Sequence, residues 1–256
     1  MPFPYKHVLL VGASSGIGLA MAERLIQECK VTVVGRRKAL LDEFVAKHGS
    51  NAQAVTFDLA ELDKAPQFAA DIVKANPDID CIFLNAAFQQ FEDWNKPETV
   101  DITGFRATID VNFISFAILT KAFLPYLTAK KEKTSIIYTT SNLAIVPAVI
   151  MTSYSASKAA LNAFILCLRN DLGNSNVNIV EVLPPLVQTA IHGFVGPDGK
   201  PLGMPLDEFT EKAYAGLCSG EDSVYVGDEQ TGEPILNVMT ARRAIFETMS
   251  TSIKNM

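Results

Sequence analysis

Short runs of apolar, mostly β-branched residues recur along the chain: Val8 to Val11, Val31 to Val34, Ala54 to Phe57, Cys81 to Leu84, Ile136 to Thr139, Ile179 to Leu183 and Ser223 to Val226. They are apolar throughout rather than alternating, the pattern of strands buried on both faces of a parallel sheet. Between them lie segments of helical period: Ile17 to Glu28, Lys38 to His48, Pro66 to Asn76, Ile102 to Thr128, Tyr154 to Leu172 and Leu206 to Ser219. This alternation predicts an α/β fold, a Rossmann-type doubly wound sheet of seven parallel strands with helices on both faces and right-handed crossovers. A (β/α)8 barrel is the rival, but it needs one strand more. With no internal repeat, low-complexity tract or long linker, the chain is expected to form a single domain over residues 1–256. One Gly- and Pro-rich stretch, Gln188 to Pro205, breaks the alternation after the sixth strand, where a lid over a binding site would lie.

Composition narrows the function classes. Residues are 48% hydrophobic, enough for a substantial core, and 22 Lys plus Arg against 28 Asp plus Glu give a net charge of -6. Such a chain has no overall basic field to attract nucleic acid or anionic lipid, so neither is an expected partner. The cysteines, Cys29, Cys81, Cys167 and Cys218, form no C-x-x-C pair and read as reduced core residues of an intracellular protein. His7, His48 and His192 are scattered, so no metal site is expected. No apolar stretch reads as long enough to span a membrane, and the opening residues leave no room for a signal-peptide cleavage site. A cytoplasmic location is the expectation.

The first strand ends in VGASSGIGLAMAERL, placing Gly12, Ser14, Ser15, Gly16, Ile17 and Gly18 in a turn between strand and helix. Glycines allow a tight turn and close backbone approach, while free amides and the helix dipole favour a pyrophosphate. A turn that only joins strand to helix is the plainer reading, and the missing G-K-[ST] rules out a P-loop. At the end of the second strand, where NAD sites usually carry an acidic residue for the ribose, stand Gly35, Arg36 and Arg37. A guanidinium pairs with a 2′-phosphate, so NADP(H) is favoured over NAD(H), with Arg36 as the contact; a solvated helix start is the alternative, especially for Arg37.

The segment YSASK puts Tyr154 and Lys158 one helical turn apart. A tyrosine works as an acid or base near neutrality only if a nearby cation stabilises its phenolate, a role open to Lys158. Upstream, Ser141 ends the fifth strand, at the sheet edge where α/β proteins bind ligands, and its hydroxyl is placed to hold a substrate oxygen. Taken alone, Tyr-x-x-x-Lys is more often an ordinary helix-surface pair.

In order, Gly12-x3-Gly16-Ile17-Gly18, Asn85-Ala86, Asn112, Ser141, Tyr154 and Lys158 resemble the short-chain dehydrogenase/reductase family over about residues 7 to 190. The resemblance implies that Tyr154 protonates a carbonyl oxygen as hydride arrives from the nicotinamide, and that Ser141 polarises that oxygen. It implies that Lys158 binds the nicotinamide ribose and lowers the Tyr154 pKa, and that Asn112 holds a water linked to Lys158. It further implies that Asp58 and Leu59 contact adenine, that Asn85 and Ala86 lie beside the adenosine ribose, and that Val187 and Thr189 grip the carboxamide. Plainer roles are open to Asp58 as a helix cap, Asn112 as a structural hydrogen-bonder and Thr189 as a loop residue.

Departures from the family pattern are Val11 for Thr, and Ala87, Ala144 and Pro185 each for Gly; the Pro184-Pro185 pair resembles the DltE-like branch. Two prolines remove backbone donors and stiffen the wall beside the nicotinamide. Selectivity is expected in residues 188–210 and around Phe88, Phe91 and Trp94, which either line an apolar pocket or serve as core or subunit contacts. With no Lys or Arg cluster there, the expected substrate is a neutral ketone, aldehyde or secondary alcohol. The apolar helix from Tyr154 to Leu172 has more apolar surface than one sheet face covers, and the resemblance implies a homodimer or homotetramer. A redox sensor that binds NADP(H) without turnover, and an isomerase or dehydratase on the same scaffold, are the competing classes.

Overall fold

The computed structural model describes residues 1–189, 191, 202–227 and 232–254. Seven strands form one all-parallel sheet: β1 (His7–Val11), β2 (Lys30–Gly35), β3 (Ala52–Thr56), β4 (Cys81–Leu84), β5 (Thr134–Thr139), β6 (Val177–Leu183) and β7 (Ser223–Tyr225). Their order is β3-β2-β1-β4-β5-β6-β7, so the winding reverses between β1 and β4, where open α/β sheets form a ligand crevice. Helices α1 (Gly16–Leu25), α2 (Lys38–His48), α3 (Ala65–Ala75), α4 (Ile102–Ile109), α5 (Ser115–Thr128), α6 (Thr152–Leu172), α7 (Leu206–Ser219) and α8 (Gly232–Lys254) complete the element order.

Successive strand residues face opposite sides, so one apolar run supplies two cores. Val8 and Leu10 pack with Met21 and Leu25 of α1, Leu41 of α2 and Phe209 of α7. Leu9 and Val11 pack on the other face with Phe68 of α3, Phe116 and Phe123 of α5 and Leu161 of α6. Cys29, Cys81 and Cys218 are buried, whereas Cys167 is exposed, because its position on α6 faces away from the sheet.

Three expectations need correcting, the first being the core placement of Cys167. The stretch Ile102–Thr128 is, by length and composition, apolar enough to cross a membrane. In the fold it is broken by a wide π-helical turn, Asp110–Ile114, and buries Phe116, Leu119, Phe123 and Leu127 against the sheet. The turn buries Asn112, which a regular 3.6-residue repeat gives no reason to expect. Helix α8 was not anticipated either. Its side chains are mostly exposed and only Ile235 is buried, so it lacks the broad apolar face that marks a core helix.

Helix α6 has no cap from its own N-terminal neighbour, Met151. Glu92, buried in the segment after β4, takes that part from 60 residues away: it accepts from Thr152 N at 2.8 Å and from the Ser153 hydroxyl. The same segment is tied down by Glu92 N to Ile150 O at 3.1 Å. Glu92→Ala is therefore expected to destabilise the protein by about 2 kcal/mol in urea unfolding, through the lost cap and the amides left unpaired. Glu92→Gln, which keeps an acceptor, should lose less than half of that.

Candidate active site

The carboxyl ends of β1, β4, β5 and β6 open into a cavity of about 610 Å³. Its wall includes Gly12, Ser14, Ser15, Gly16, Ile17, Arg36, Asp58, Leu59, Asn85, Ala86, Ser141, Tyr154, Lys158, Val187 and Thr189, so the structure gathers nearly every residue singled out in the sequence. Gly18 and Asn112 are not part of that wall.

At one end is the glycine turn. Gly12 has φ +90, and a Cβ there would lie 2.5 Å from the backbone of Ala86. Gly18 serves packing, since a Cβ on it would meet Gly12 O at 2.1 Å. Asn85 locks the turn by donating to Gly12 O at 3.3 Å and accepting from the Thr139 hydroxyl at 2.9 Å. The N-cap of α1, Ser15, makes no side-chain capping bond, leaving the helix amides open toward the cavity.

Both arginines after β2 line this end, with different environments. Arg37 donates to Ser14 Oγ at 2.8 Å and Ser15 Oγ at 2.5 Å, so it braces the turn instead of merely starting a solvated helix. Arg36 is 70% exposed and lies 3.9 Å from Asp58, an ion pair worth little in water and easily exchanged for a ligand anion. Asp58 also closes a local turn by accepting from Ala60 N at 3.0 Å.

At the other end Ser141, Tyr154 and Lys158 meet at the boundary of β5 and α6. Ser141 Oγ accepts from Leu143 N at 3.1 Å and hydrogen-bonds Tyr154. Burial pushes the Tyr154 phenol up to about 12, with the Ser141 bond working against it. Lys158 is fully buried and donates to Thr139 O at 2.9 Å, and its Nζ stands 5.6 Å from the Tyr154 ring centroid. Burial pulls its amine down to about 7, opposed by the charge of Glu181. The expected lowering of the Tyr154 pKa by Lys158 is not seen in this arrangement: burial outweighs the Ser141 bond, and the tyrosine rests as a neutral phenol.

Asn112 accepts from Phe88 N at 2.7 Å and donates to Phe88 O at 2.8 Å and Ser157 Oγ at 3.0 Å. Its side chain clamps the segment after β4 to α6. Val187 bridges to Met204, while Thr189 approaches Gly16 across the cavity. Of the aromatic trio, Phe88 lines the cavity, whereas Phe91 and Trp94 are outside its wall; Trp94 meets Phe105 edge-on at 6.5 Å. Of the lid expected at 188–210, residues 190 and 192–201 lie outside the described residues.

Sequence reasoning missed Glu92, Glu181 and Asn142. Asn142 follows Ser141 in the wall, and its buried Oδ1 has no hydrogen-bond partner among the described residues. An orphaned acceptor in a cavity calls for a donor from whatever binds there. Among the described residues no cluster of His, Cys, Asp or Glu is suited to a metal.

Comparison with known proteins agrees with the geometry. The family model described as short chain dehydrogenase matches residues 6–199. The chain is 30% identical to an uncharacterised oxidoreductase, DltE, of Bacillus subtilis (strain 168), over 98% of this chain and 99% of the relative. A short-chain dehydrogenase of Burkholderia cenocepacia J2315, solved in complex with NADP, superposes with a TM-score of 0.78 at 25% identity, covering 98% of this chain and 99% of that one. Another from Burkholderia phymatum, in complex with NAD, shares the fold with a TM-score of 0.79 at 18% identity, over 97% and 96% of the two chains. The protein is a member of the short-chain dehydrogenase family of oxidoreductases.

Proposed function

We propose that this protein interconverts a neutral, apolar carbonyl compound and its alcohol, with NADP(H) as hydride carrier. The observation that supports this most is the single cavity whose wall holds an uncapped helix N-terminus and glycine turn at one end and Ser141, Tyr154 and Lys158 at the other. A dinucleotide fits the residues present: the turn lacks the Cβ atoms that would close it, and Asn142 Oδ1 awaits a donor. When bound, the nicotinamide supplies the hydride.

The amides at the start of α1 would hold the pyrophosphate, Asp58, Leu59, Asn85 and Ala86 the adenosine, Val187 and Thr189 the carboxamide, and Lys158 the nicotinamide ribose. Arg36, exposed and beside only a weak ion-pair partner, would pair with the 2′-phosphate. Ser141 orients the substrate oxygen, and Tyr154 gives it a proton. A protonated phenol is the form a general acid needs at neutral pH.

The charged residues of the wall are Arg36, Arg37, Asp58 and Lys158, all at the nucleotide end or in the catalytic cluster. Around the remaining mouth stand Phe88, Ala107, Val111, Leu143, Ile150 and Leu186. Such a lining desolvates an apolar substrate and would penalise a charged one. A homodimer or homotetramer built on α6 and the stretch Ile102–Thr128 is part of the same reading.

Tyr154→Phe should lower kcat/KM for carbonyl reduction by about 100-fold or more, since it removes the acid, while NADPH affinity stays within about twofold. Steady-state kinetics with fluorescence titration of NADPH check both; retained turnover would refute the assignment. Arg36→Ala should weaken NADPH by about tenfold and leave NADH nearly unchanged, the loss of one charge-assisted phosphate contact. Equal losses for the two nucleotides would move the cofactor reading to NAD(H).

A further inference from the structure

Behind the catalytic cluster lies a second, buried polar cluster that the proposed chemistry does not use. Glu181 stands in the middle of β6, opposite Tyr138 of β5, and is buried. Its Oε1 accepts from the Thr140 hydroxyl at 2.7 Å, and Asn162 Nδ2 donates to its two oxygens at 2.8 and 3.0 Å. Asn162 Nδ2 can only donate, so both oxygens accept from it; burial raises the Glu181 pKa, and the Asn162 and Thr140 bonds work against that by favouring the carboxylate. Arg242, from α8, in turn donates to Asn162 Oδ1 and fixes which end of the amide faces Glu181.

The two anchors of Glu181 adjoin the two anchors of Lys158. Asn162 is one helical turn beyond Lys158 on α6, and Thr140 follows Thr139, whose carbonyl takes the Lys158 ammonium. A fully buried ammonium group with a carbonyl as its hydrogen-bond acceptor loses its proton unless a negative charge is close. The charges around the cluster are Lys158 and Arg169 on α6, Glu181 on β6, Arg242 on α8, and Asp222 before β7. Asp222 is held by Arg243 at 2.7 Å, while the charges of Arg169 and Arg242 favour the ionised form of Glu181, and the Glu181 charge in turn favours the ammonium form of Lys158.

We propose that Glu181 is a positioning residue for the active site: a buried counter-ion, held by Asn162 and Thr140, that keeps Lys158 charged. The inference rests on the proposed function only for its consequence, that a charged Lys158 holds the ribose and lies beside Tyr154. A buried carboxylate close to a buried amine is a poor source of stability, because both desolvation penalties must be offset. Anchors that adjoin those of the lysine on both β5 and α6 assign Glu181 an electrostatic task. Glu181 favours the ammonium form, so removing its charge lowers the pH at which Lys158 loses its proton.

The direct test follows the ¹³Cε shift of Lys158 against pH in cofactor-free protein, with the signal assigned by its loss in Lys158→Met. The amine is expected to titrate near 7 in the unaltered chain. In Glu181→Gln the midpoint should fall by about one unit, and in Glu181→Asp, whose carboxylate is withdrawn by one methylene, by less in the same direction. Should Glu181→Gln fail to fold, the Asp variant carries the comparison. The parallel readout is NADPH affinity: at about pH 8 the Gln variant should bind about tenfold more weakly than the unaltered chain, converging below about pH 6. In a Lys158→Met background, the same substitution should change affinity by less than about twofold. An unchanged midpoint overturns the proposal, as does an affinity loss that is equal at every pH or persists without Lys158. A shifted midpoint in a chain that binds no nicotinamide nucleotide supports the counter-ion and overturns the proposed function instead.

Discussion

Two backbones touch at the point where the sheet reverses its winding, and the cavity takes its shape from that contact. Gly12 follows β1 and Ala86 follows β4, so close that any side chain on Gly12 would overlap the Ala86 backbone. Asn85 then joins the turn to Thr139 at the end of β5. Three strand ends and the start of α1 are thereby set relative to one another by atoms that cannot be moved apart without breaking hydrogen bonds. The distance from the glycine turn to Ser141 and Tyr154 is consequently a property of the sheet and not of its loops, as hydride transfer over a short gap requires.

The far wall is positioned differently, by polar groups that arrive from distant parts of the sequence. Helix α6 carries Tyr154 and Lys158, and it is capped by Glu92, clamped through Ser157 by Asn112 and backed through Asn162 by Glu181. Each of these is a buried polar side chain, costly to bury and tolerable only because its partners satisfy it. Such groups confer a unique helix position more than net stability. An apolar interface of the same area would tolerate rotation of α6 about its axis, which would carry the Tyr154 hydroxyl away from Ser141.

The sheet was legible because burial on both faces leaves apolar runs with no polar interruption. Its strands were nevertheless read as too short wherever a polar residue is buried with a partner. β1 begins at His7, whose ring nitrogens meet Asp78 and Thr32 at 2.9 Å, and β5 begins at Thr134 and Ser135, whose hydroxyls reach backbone carbonyls. The π turn within Ile102–Thr128 and the exposed helix α8 left no trace in the apolar period for a related reason: neither is specified by a continuous buried stripe. Residues of the site were found where they sit in short local motifs, as the glycine turn and Tyr154 with Lys158 do. Glu92 and Glu181 escaped because their partners lie 60 and 41 residues away, a spacing that no local pattern records.

Charge is distributed along the cavity in a way that separates its two tasks. The nucleotide end carries Arg36, Arg37 and Asp58 together with open amides, a surface for a polyanion, while the opposite mouth is formed by Phe88, Leu143, Ile150, Leu186 and their apolar neighbours. Between the two, the hydroxyls of Ser141 and Tyr154, with Asn142 and Lys158 beside them, form a polar cluster against an apolar lining. A polar group entering that mouth is desolvated by the lining and finds its hydrogen-bond partners at this cluster. After β6, Gln188 N donates to Met204 O at 2.9 Å and Met204 N to Leu186 O at 2.8 Å. That clip and the bridge from Val187 to Met204 hold Val187 and Thr189 on the side of the cavity nearest the sheet, so this wall too is set by backbone packing and not by side chains alone.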